Sequence, residues 1–449
     1  MGGGYLRPVD SNDGLSGARI DIGEIAIREQ WRCRLPSLVV AAARDGADLD
    51  STVVGLANVE DGVDAETGTA YRIGSITKTF TAVIVLTLAE RGELGLDAPV
   101  GAYLSGTSFG DVPLRYLLAH SGGLQREVPV DMWESMRGPD RAELRAAFGK
   151  VELVDGPGAR WHYSNLGYAV LGQIVEDVTG TSCAELIDTQ LLSPLGLTST
   201  SWVRPPAAAV GYRVDPYADI VHREPDMDQA SVGVAGQLWS TADDLLAWGH
   251  ALAGGSPDVV SPRVVDAMHT LQVMVDRRGW TSGWGLGLIL DRRPSCILAG
   301  HTGAMPGFLS GLSIERESRS VAVVLTNVTR GAAVGRLAAD VAERVAAARP
   351  EPKSPWRPSA AYPAELRGVL GRWWSEADET VFTWRTDGLH AYLASAPETS
   401  DTRFGQEAAD TYRAVAGRMT GERLLVRRDR DGNVVGLEWA TYPFTRSPR

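Results

Sequence analysis

Five prolines lie between Pro350 and Pro363, and prolines at this density favour a stiff, extended connection over a packed element. Before this stretch, helical periodicity alternates with strand-like segments. After it, the periodic segments are short and alternating, and Asp387-Gly388 and Asp431-Gly432 supply hairpin turns. The pattern predicts an α+β domain followed by a small β-barrel. The predicted segments are a flexible lead-in over 1–20, a catalytic domain over 21–348, a linker over 349–363 and a β domain over 364–449.

Charge and hydropathy exclude two classes of partner. The 449-residue chain carries a net charge of −12, and no Lys/Arg stripe alternates with aromatic residues, so nucleic acid is not an expected partner. The longest apolar runs are too short to cross a bilayer, so no membrane partner is expected. The first residues lack the apolar core of a signal peptide, which favours a cytoplasmic enzyme.

Cysteine and metal chemistry also find little support. Cys33, Cys183 and Cys296 are far apart and form neither a disulfide framework nor a metal-ligand spacing. His222 lies among three acidic residues up to Asp228, but this stretch is typical of a solvated acidic loop. No metal and no cofactor is expected.

The strongest chemical signal is Ser75-x-x-Lys78 at the start of an apolar run that extends to Ala89. Residues spaced i, i+3 on a helix lie on one face, one turn apart. A lysine amine that is partly desolvated can have a pKa low enough to take a serine proton. The pattern therefore indicates a nucleophile beside its base, although the same four letters occur on ordinary helices.

Lysine usage strengthens that interpretation. Only Lys78, Lys150 and Lys353 are lysines among the 44 basic residues of the chain. Arginine stays protonated and cannot act as a base. A lysine retained inside an apolar segment is therefore more suggestive of catalysis than usual.

Two further segments offer partners for this pair. Tyr163 and Asn165 open an apolar helix; the phenol would serve as phenolate or proton shuttle, and the amide would hold Lys78 and a substrate amide. The alternative is an aromatic contact at a capped helix start.

A G-x-S-x-G match at Gly106–Gly110 is rejected, because Asp111-Val112-Pro113 follows it where a helix is required.

His301-Thr302-Gly303-Ala304 is placed where two candidate strands meet, within a meander predicted over 285–326. Gly303 would allow the backbone to approach substrate, and the N–H of Ala304 would join that of Ser75 in an oxyanion hole. His301 would position the acyl group or assist the proton shuttle. The alternative is a histidine with a structural role in a turn.

In this order, the three motifs resemble those of the penicillin-binding-protein and class C β-lactamase family of serine hydrolases. The resemblance covers about residues 20–348 and includes the flanking segments Leu117–Leu124, Gly156–Gly158 and Gly236–Thr241. It implies that Ser75 is acylated, that Lys78 and Tyr163 act as its bases, and that Thr302, Gly303 and Trp239 contact substrate. The implied fold is an antiparallel sheet flanked by helices, with an all-helical part beside it and the site between them.

The third motif departs from the Lys-Thr-Gly of lactamases and cell-wall transpeptidases, since His301 replaces the lysine that helps bind a carboxylate. Strong β-lactamase activity is therefore not expected. Histidine at this place is similar to the esterases, the D-aminopeptidases and the penicillin-binding-protein-type thioesterases, which release and cyclise nonribosomal peptides.

The linker and the C-terminal β domain resemble the lipocalin-like domain of those thioesterases, and Arg446 would bind a carboxylate there unless it is a solvent-facing end residue. The resemblance favours a peptide-cyclising acyltransferase. Its expected partners are a peptidyl or small-molecule (thio)ester and a peptidyl carrier protein. The alternatives are an esterase, a D-aminopeptidase or a D,D-peptidase-like hydrolase, and a catalytically silent binding or sensor module.

Overall fold

The computed structural model describes residues 21–45, 47–348, 361–397 and 399–448. The predicted lead-in over 1–20 and most of the predicted linker lie outside these ranges. The chain divides into two compact units, with the boundary between Glu351 and Pro352. Each unit is described by itself below.

The first unit contains helices and strands in alternation. Its described α-helices are α1 Ile22–Cys33, α2 Thr77–Glu90, α3 Leu114–Leu118, α4 Met132–Ser135, α5 Arg141–Ala147, α6 Asn165–Thr179, α7 Cys183–Ile187, α8 Ser193–Leu195, α9 Ala242–His250, α10 Pro262–His269 and α11 Val334–Ala348. Its described strands are β1 Ser37–Arg44, β2 Ala47–Asn58, β3 Val63–Asp64, β4 Tyr71–Arg72, β5 Tyr212–Val214, β6 Val221–Arg223, β7 Trp239–Ser240, β8 Val273–Met274, β9 Ser282–Trp284, β10 Ile289–Arg292, β11 Ile297–Met305, β12 Phe308–Glu315 and β13 Ser320–Thr326.

Within the described residues, nine strands form one sheet in the order β3-β2-β1-β13-β12-β11-β10-β9-β8, and neighbouring strands in it are antiparallel. Helices α1 and α11 pack on one face, where Ile22, Ala26, Ala338 and Ala342 are buried. On the other side the core extends into the helical region around α2 and α6. The predicted antiparallel sheet with flanking helices and an all-helical part is confirmed.

Helix α2 is the centre of the helical region. Eleven of its fourteen residues are buried, as expected for a helix that is apolar on every side. The Phe80 ring stacks on the Trp248 ring of α9, with centroids 3.9 Å apart. This packing fixes the start of α2, where Lys78 is located.

One predicted strand is wrong over most of its length. The stretch Gly285–Leu290 reads as an alternating strand, but only its last two residues belong to β10. Residues 285–288 form the turn between β9 and β10, in which the Gly285 N–H donates to the Leu288 carbonyl at 2.9 Å. Gly287 adopts a φ of +93°, and a Cβ there would lie 2.5 Å from the Ala82 Cβ. Gly287 contributes to the alternating pattern of the sequence, but its positive φ lets the chain reverse direction here.

The second unit is a small, nearly closed antiparallel barrel. Its described strands are β14 Gly371–Ser375, β15 Asp378–Arg385, β16 Gly388–Leu393, β17 Thr402–Ala408, β18 Thr411–Ala416, β19 Arg423–Arg428, β20 Val434–Trp439 and β21 Tyr442–Phe444. They pair in chain order, and a bridge between Trp374 and Thr445 joins the two ends. Trp373, Phe382 and Phe404 fill the interior. The predicted small barrel is confirmed.

Candidate active site

Ser75 and Lys78 lie at the junction between a 3-10 turn, Gly74–Ile76, and helix α2. The Lys78 Nζ is 3.1 Å from the Ser75 Oγ, and the Lys78 side chain is completely buried. Ser75 is partly exposed and lines a cleft. Ser75 is therefore accessible from the cleft, whereas Lys78 is shielded from water.

Among the described residues, Lys78 has three hydrogen-bond partners. Besides Ser75, its Nζ donates to the Asn165 Oδ1 at 2.7 Å and to the Ala235 carbonyl at 2.6 Å. A neutral amine uses two N–H groups on the two carbonyl oxygens and points its lone pair at the Ser75 hydroxyl. An ammonium donates to all three. The same three partners thus satisfy both protonation states.

Burial lowers the pKa of Lys78 to about 7. The charge of Glu127 opposes this shift, and the charge of Arg126 adds to it. A neutral Lys78 is therefore well populated near neutral pH, as a general base for Ser75 requires.

Tyr163 and Asn165 are positioned by the start of α6. Ser164 caps the helix by accepting from the Gly167 N–H at 3.0 Å, and the Ser164 N–H donates to the His120 Nδ1 at 3.1 Å. His120 lies in the left-handed region at φ +54° just after α3. The His120 ring therefore holds in place the segment that carries Tyr163 and Asn165.

Burial raises the pKa of Tyr163 well above its usual value, and a hydrogen bond with Ser75 opposes that shift only in part. The Lys78 Nζ lies 5.0 Å from the centre of the Tyr163 ring. Tyr163 therefore stays a neutral phenol at physiological pH. Of the two roles considered from the sequence, this favours the proton shuttle over the phenolate.

His301 lies inside strand β11 and not at a junction between two strands, which corrects the expectation from the sequence. Its Nδ1 donates to the Thr302 carbonyl at 2.6 Å, which leaves the lone pair on Nε2. Burial and the nearby Lys78 lower the pKa of His301 to about 3. His301 is therefore neutral where a lactamase-type third motif carries a cation.

The two backbone N–H groups of the predicted oxyanion hole lie on adjacent elements. The two-residue turn Pro306–Gly307 joins β11 to β12. Along an antiparallel pair of strands, hydrogen-bonded and non-hydrogen-bonded residue pairs alternate. Ala304 is one position before the pair that closes the turn, so its N–H points away from β12. A Cβ on Gly74 would lie 2.7 Å from the Ala304 N, so this N–H is beside the turn that carries Ser75. The arrangement suits an oxygen that becomes negative during acyl transfer.

Gly303 makes that close approach feasible. A Cβ at this position would lie 1.9 Å from the Ile73 carbonyl oxygen and 2.3 Å from the Ser310 Oγ. The Ser310 Oγ itself donates to the Ile73 carbonyl at 2.7 Å. Any larger residue would push β11 away from the turn that carries Ser75.

Replacing Gly303 by alanine is expected to reduce acylation of Ser75 at least 100-fold and to lower the free energy of unfolding by about 2 kcal/mol. The control is Gly149→Ala, because a Cβ at Gly149 meets no atom within 4 Å. Labelling rates with a fluorophosphonate and urea unfolding curves measure the two effects. Equal labelling of Gly303→Ala and wild-type protein would contradict this account of the oxyanion hole.

The cleft in front of Ser75 has a volume of about 800 Å³. Its walls combine the predicted residues with a large apolar surface. The lining includes Ser75, Tyr163, Asn165, His301, Thr302, Gly303 and Ala304, together with Trp133, Met136, Trp161, Trp284, Ile289 and Leu309. An apolar wall of this size suits a bulky acyl group.

Two predicted substrate contacts, Trp239 and Arg446, have other surroundings within their own units. Trp239 is 2% exposed and lines a separate cavity of about 490 Å³ with Arg72 and Arg204, which corrects the expectation that it binds substrate beside Ser75. Arg446 belongs to the barrel unit, where its guanidinium covers the Trp373 ring at 3.9 Å and donates to the Arg372 carbonyl at 2.9 Å. Carboxylate binding by Arg446 stays a prediction.

The sequence interpretation missed Glu127, Arg126 and the Ala235 carbonyl. Glu127 and Arg126 lie between α3 and α4, and both line the cleft. No local motif marks them, because their proximity to Ser75 arises from tertiary packing. Among the described residues, no group of three or more potential metal ligands is present, and no helix combines the length and hydropathy needed to cross a membrane.

Comparison with known proteins covers both units. A family model described as "Beta-lactamase" matches residues 24–347, and one described as a domain of unknown function (DUF7586) matches residues 362–446. Penicillin-binding protein 4 of Amycolatopsis lactamdurans is 31% identical over 319 residues, which cover 65% of this chain and 81% of that protein. Esterase EstB of Burkholderia gladioli is 29% identical over 333 residues, which cover 64% and 83% respectively.

Among solved structures, SurE is similar over 95% of this chain and 98% of its own, with 26% identity and a TM-score of 0.60. A second structure, of SurE with D-Leu, gives 25% identity and a TM-score of 0.59. The resemblance inferred from the three motifs is confirmed at the level of the family, whereas a lipocalin-like nature of the barrel stays a prediction. This chain belongs to the beta-lactamase and penicillin-binding-protein family of serine hydrolases.

Proposed function

We propose that this protein is a serine acyltransferase that accepts a peptidyl group from a thioester onto Ser75 and passes it to an amine of the same peptide, closing a ring. The observation that carries the acyl-enzyme step is the 3.1 Å contact between the Ser75 Oγ and the buried Lys78 Nζ. A peptidyl carrier protein is the proposed donor of the thioester.

In the first half-reaction, neutral Lys78 takes the Ser75 proton and the Ser75 oxygen attacks the thioester carbon. The N–H groups of Ser75 and Ala304 bind the oxygen that becomes negative. The C–S bond then breaks, and the Tyr163 phenol relays a proton to the departing sulfur. Ser75 is left as an ester and the thiol is released.

In the second half-reaction, the amine attacks the ester carbon and gives its proton to the same Lys78–Tyr163 pair, which returns a proton to the Ser75 oxygen. The balance is thioester plus amine to amide plus thiol. With water in place of the amine, the products are acid and thiol. The apolar cleft walls around Trp161 and Trp284 favour an organic acceptor over water.

Two further observations support the choice of substrate. His301 is neutral, so the third motif offers no cation for the carboxylate of a β-lactam. The similarity to SurE extends over 95% of this chain, whereas the matches to the penicillin-binding protein and the esterase cover 65% and 64%. The SurE structure with D-Leu supports a D-configured residue at the acyl position of our proposed substrate.

The test offers a linear peptide as its N-acetylcysteamine thioester, with a D-residue at the acyl position and a free amine at the other end. Liquid chromatography with mass spectrometry is expected to show a product that lacks one water relative to the linear acid. The epimer with an L-residue is the matched control and is expected to react at least 10-fold more slowly. Linear acid as the sole product would contradict cyclisation.

A plain hydrolase of esters or D-configured peptides is the second candidate, because the relatives include an esterase and a penicillin-binding protein. It uses the same acyl-enzyme and differs only in the acceptor. Exclusive hydrolysis of both thioester epimers and of small esters would favour this candidate.

A further inference from the structure

We propose that Glu127 is a positioning residue, whose carboxylate fixes the orientation of the Asn165 side-chain amide so that its oxygen faces Lys78. This inference rests on the acyl-enzyme step of the proposed function and does not depend on which acceptor completes the reaction. Neither the three motifs nor the family match points to this side chain.

The first support is an unbroken line of hydrogen bonds. The Glu127 Oε1 accepts from the Asn165 Nδ2 at 2.8 Å, and the Asn165 Oδ1 accepts from the Lys78 Nζ at 2.7 Å. A carboxylate accepts only, so it selects the nitrogen end of the amide. The oxygen end is thereby directed to Lys78, which in turn contacts Ser75.

The second support is the way the chain holds Glu127 in place. The Asn165 N–H donates to the Arg126 carbonyl at 2.7 Å, and the Ser164 Oγ donates to the Gln125 carbonyl at 2.7 Å. The Gln125 Nε2 donates to the Glu127 carbonyl at 2.9 Å. These bonds attach the segment 125–127 to the start of α6, so Glu127 and Asn165 move as one unit.

The alternative amide orientation would be costly. It would point the Asn165 NH₂ group at Lys78, which donates to Asn165 in both protonation states, and its oxygen at the Glu127 carboxylate. The Asn165 NH₂ group would then face another donor, and the Asn165 oxygen would face another acceptor, in a partly buried site. Without the carboxylate, only Lys78 would distinguish the two orientations.

The charged and titratable groups around this line come from several elements. Arg126 lies next to Glu127, with its Nε 3.4 Å from the Glu127 Oε1, and Trp133 also contacts the carboxylate. Lys78 is affected by Glu127 and Arg126, and it lowers in turn the pKa values of His120 and His301. Removal of the Glu127 charge is therefore expected to lower the pKa of Lys78 further, because that negative charge favours the protonated amine.

Glu127→Gln keeps the size of the side chain, removes the charge and lets the new amide donate to the Asn165 oxygen. The rate of Ser75 labelling by a fluorophosphonate, followed by mass spectrometry from pH 5 to 9, is expected to fall about 30-fold at its plateau. The midpoint of its rise with pH is expected to move to lower pH. A merely structural role would lower the plateau without moving the midpoint.

The Asn165→Ala background separates positioning from other roles. If Glu127 acts through Asn165, then Glu127→Gln changes the plateau less than about 2-fold in that background. Glu127→Asp, which keeps the charge, is expected to retain the wild-type midpoint. Glu152→Gln, at an exposed glutamate of the same region, is the matched control and is expected to label like wild type.

Besides a lowered plateau with an unmoved midpoint, three outcomes would overturn the proposal. A Glu127→Gln protein that labels at the wild-type rate with the wild-type midpoint shows that the carboxylate has no such role. Plateau losses that multiply in the double variant show that Glu127 acts independently of Asn165. A wild-type protein that fluorophosphonate does not label at all overturns this inference together with the proposed function, whereas the first two outcomes leave the proposed function intact.

Discussion

The Ser75→Ala variant is expected to form no covalent adduct with a fluorophosphonate or a penicillin and to lose turnover of a thioester by at least 10⁴-fold. Ser75 supplies the oxygen that becomes acylated, and a methyl group cannot replace it. The variant is expected to fold normally, because Ser75 is partly exposed and alanine is smaller. Intact mass spectrometry measures the adduct, and thermal unfolding checks the fold.

Ser108→Ala is the matched control for this experiment. Ser108 is the serine of the rejected G-x-S-x-G match, and its Oγ donates to the Val151 carbonyl at 2.8 Å in a loop before Pro113. It should label at the wild-type rate. An adduct that persists in Ser75→Ala and disappears in Ser108→Ala would show that the wrong serine has been assigned. No adduct in folded wild-type protein would instead favour a silent binding module.

The part of the site that depends on local geometry could be predicted from the sequence. Ser75 and Lys78 are one helical turn apart, so their contact follows from the spacing. Tyr163, Asn165 and His301 lie far along the chain, and only the order of three family motifs joined them to Ser75. The cleft that Ser75, Tyr163, Asn165 and His301 line in the structure agrees with that grouping.

The remaining contacts could not be predicted, and the reasons are physical. The Ala235 carbonyl that receives the Lys78 hydrogen bond is a backbone group, and any residue carries one. Glu127 reaches Asn165 because the segment 125–127 is bonded to the start of α6, which no periodicity in the sequence reports. Leu238 is close to the Ser75 turn, because its carbonyl accepts from the Ile73 N–H. The next residue is Trp239, but its ring lines another cavity.

In the fold, too, local patterns could be predicted from the sequence, whereas features that depend on tertiary packing could not. The apolar run that extends to Ala89 forms helix α2, and the meander predicted over 285–326 contains strands β10 to β13. The strand prediction failed at residues 285–288, because strands and glycine turns can share an alternation of small and apolar residues. Gly287 has a positive φ and lies so close to Ala82 of α2 that a side chain would not fit. This constraint comes from tertiary packing, which the local sequence pattern does not report.

Lys78→Arg is expected to reduce acylation of Ser75 by at least 10³-fold, even though it keeps the positive charge. A guanidinium stays protonated at any physiological pH and cannot take the Ser75 proton. The control is Lys150→Arg, at an exposed lysine of the same unit, which should label like wild type. Because arginine is larger than the buried lysine, Lys78→Met serves as a second variant that tests the loss of the base without extra volume.

The pH dependence separates loss of the base from loss of packing. Burial lowers the pKa of Lys78 to about 7, and the neutral amine is the form that accepts a proton, so wild-type labelling is expected to rise with pH through about 7. His301, with a pKa of about 3, and the Tyr163 phenol do not change protonation in that range. The residual labelling of Lys78→Arg and Lys78→Met should show no rise near pH 7. A rise that survives in both variants would assign the base to another group, with His120 excluded because burial keeps its pKa well below the usual value.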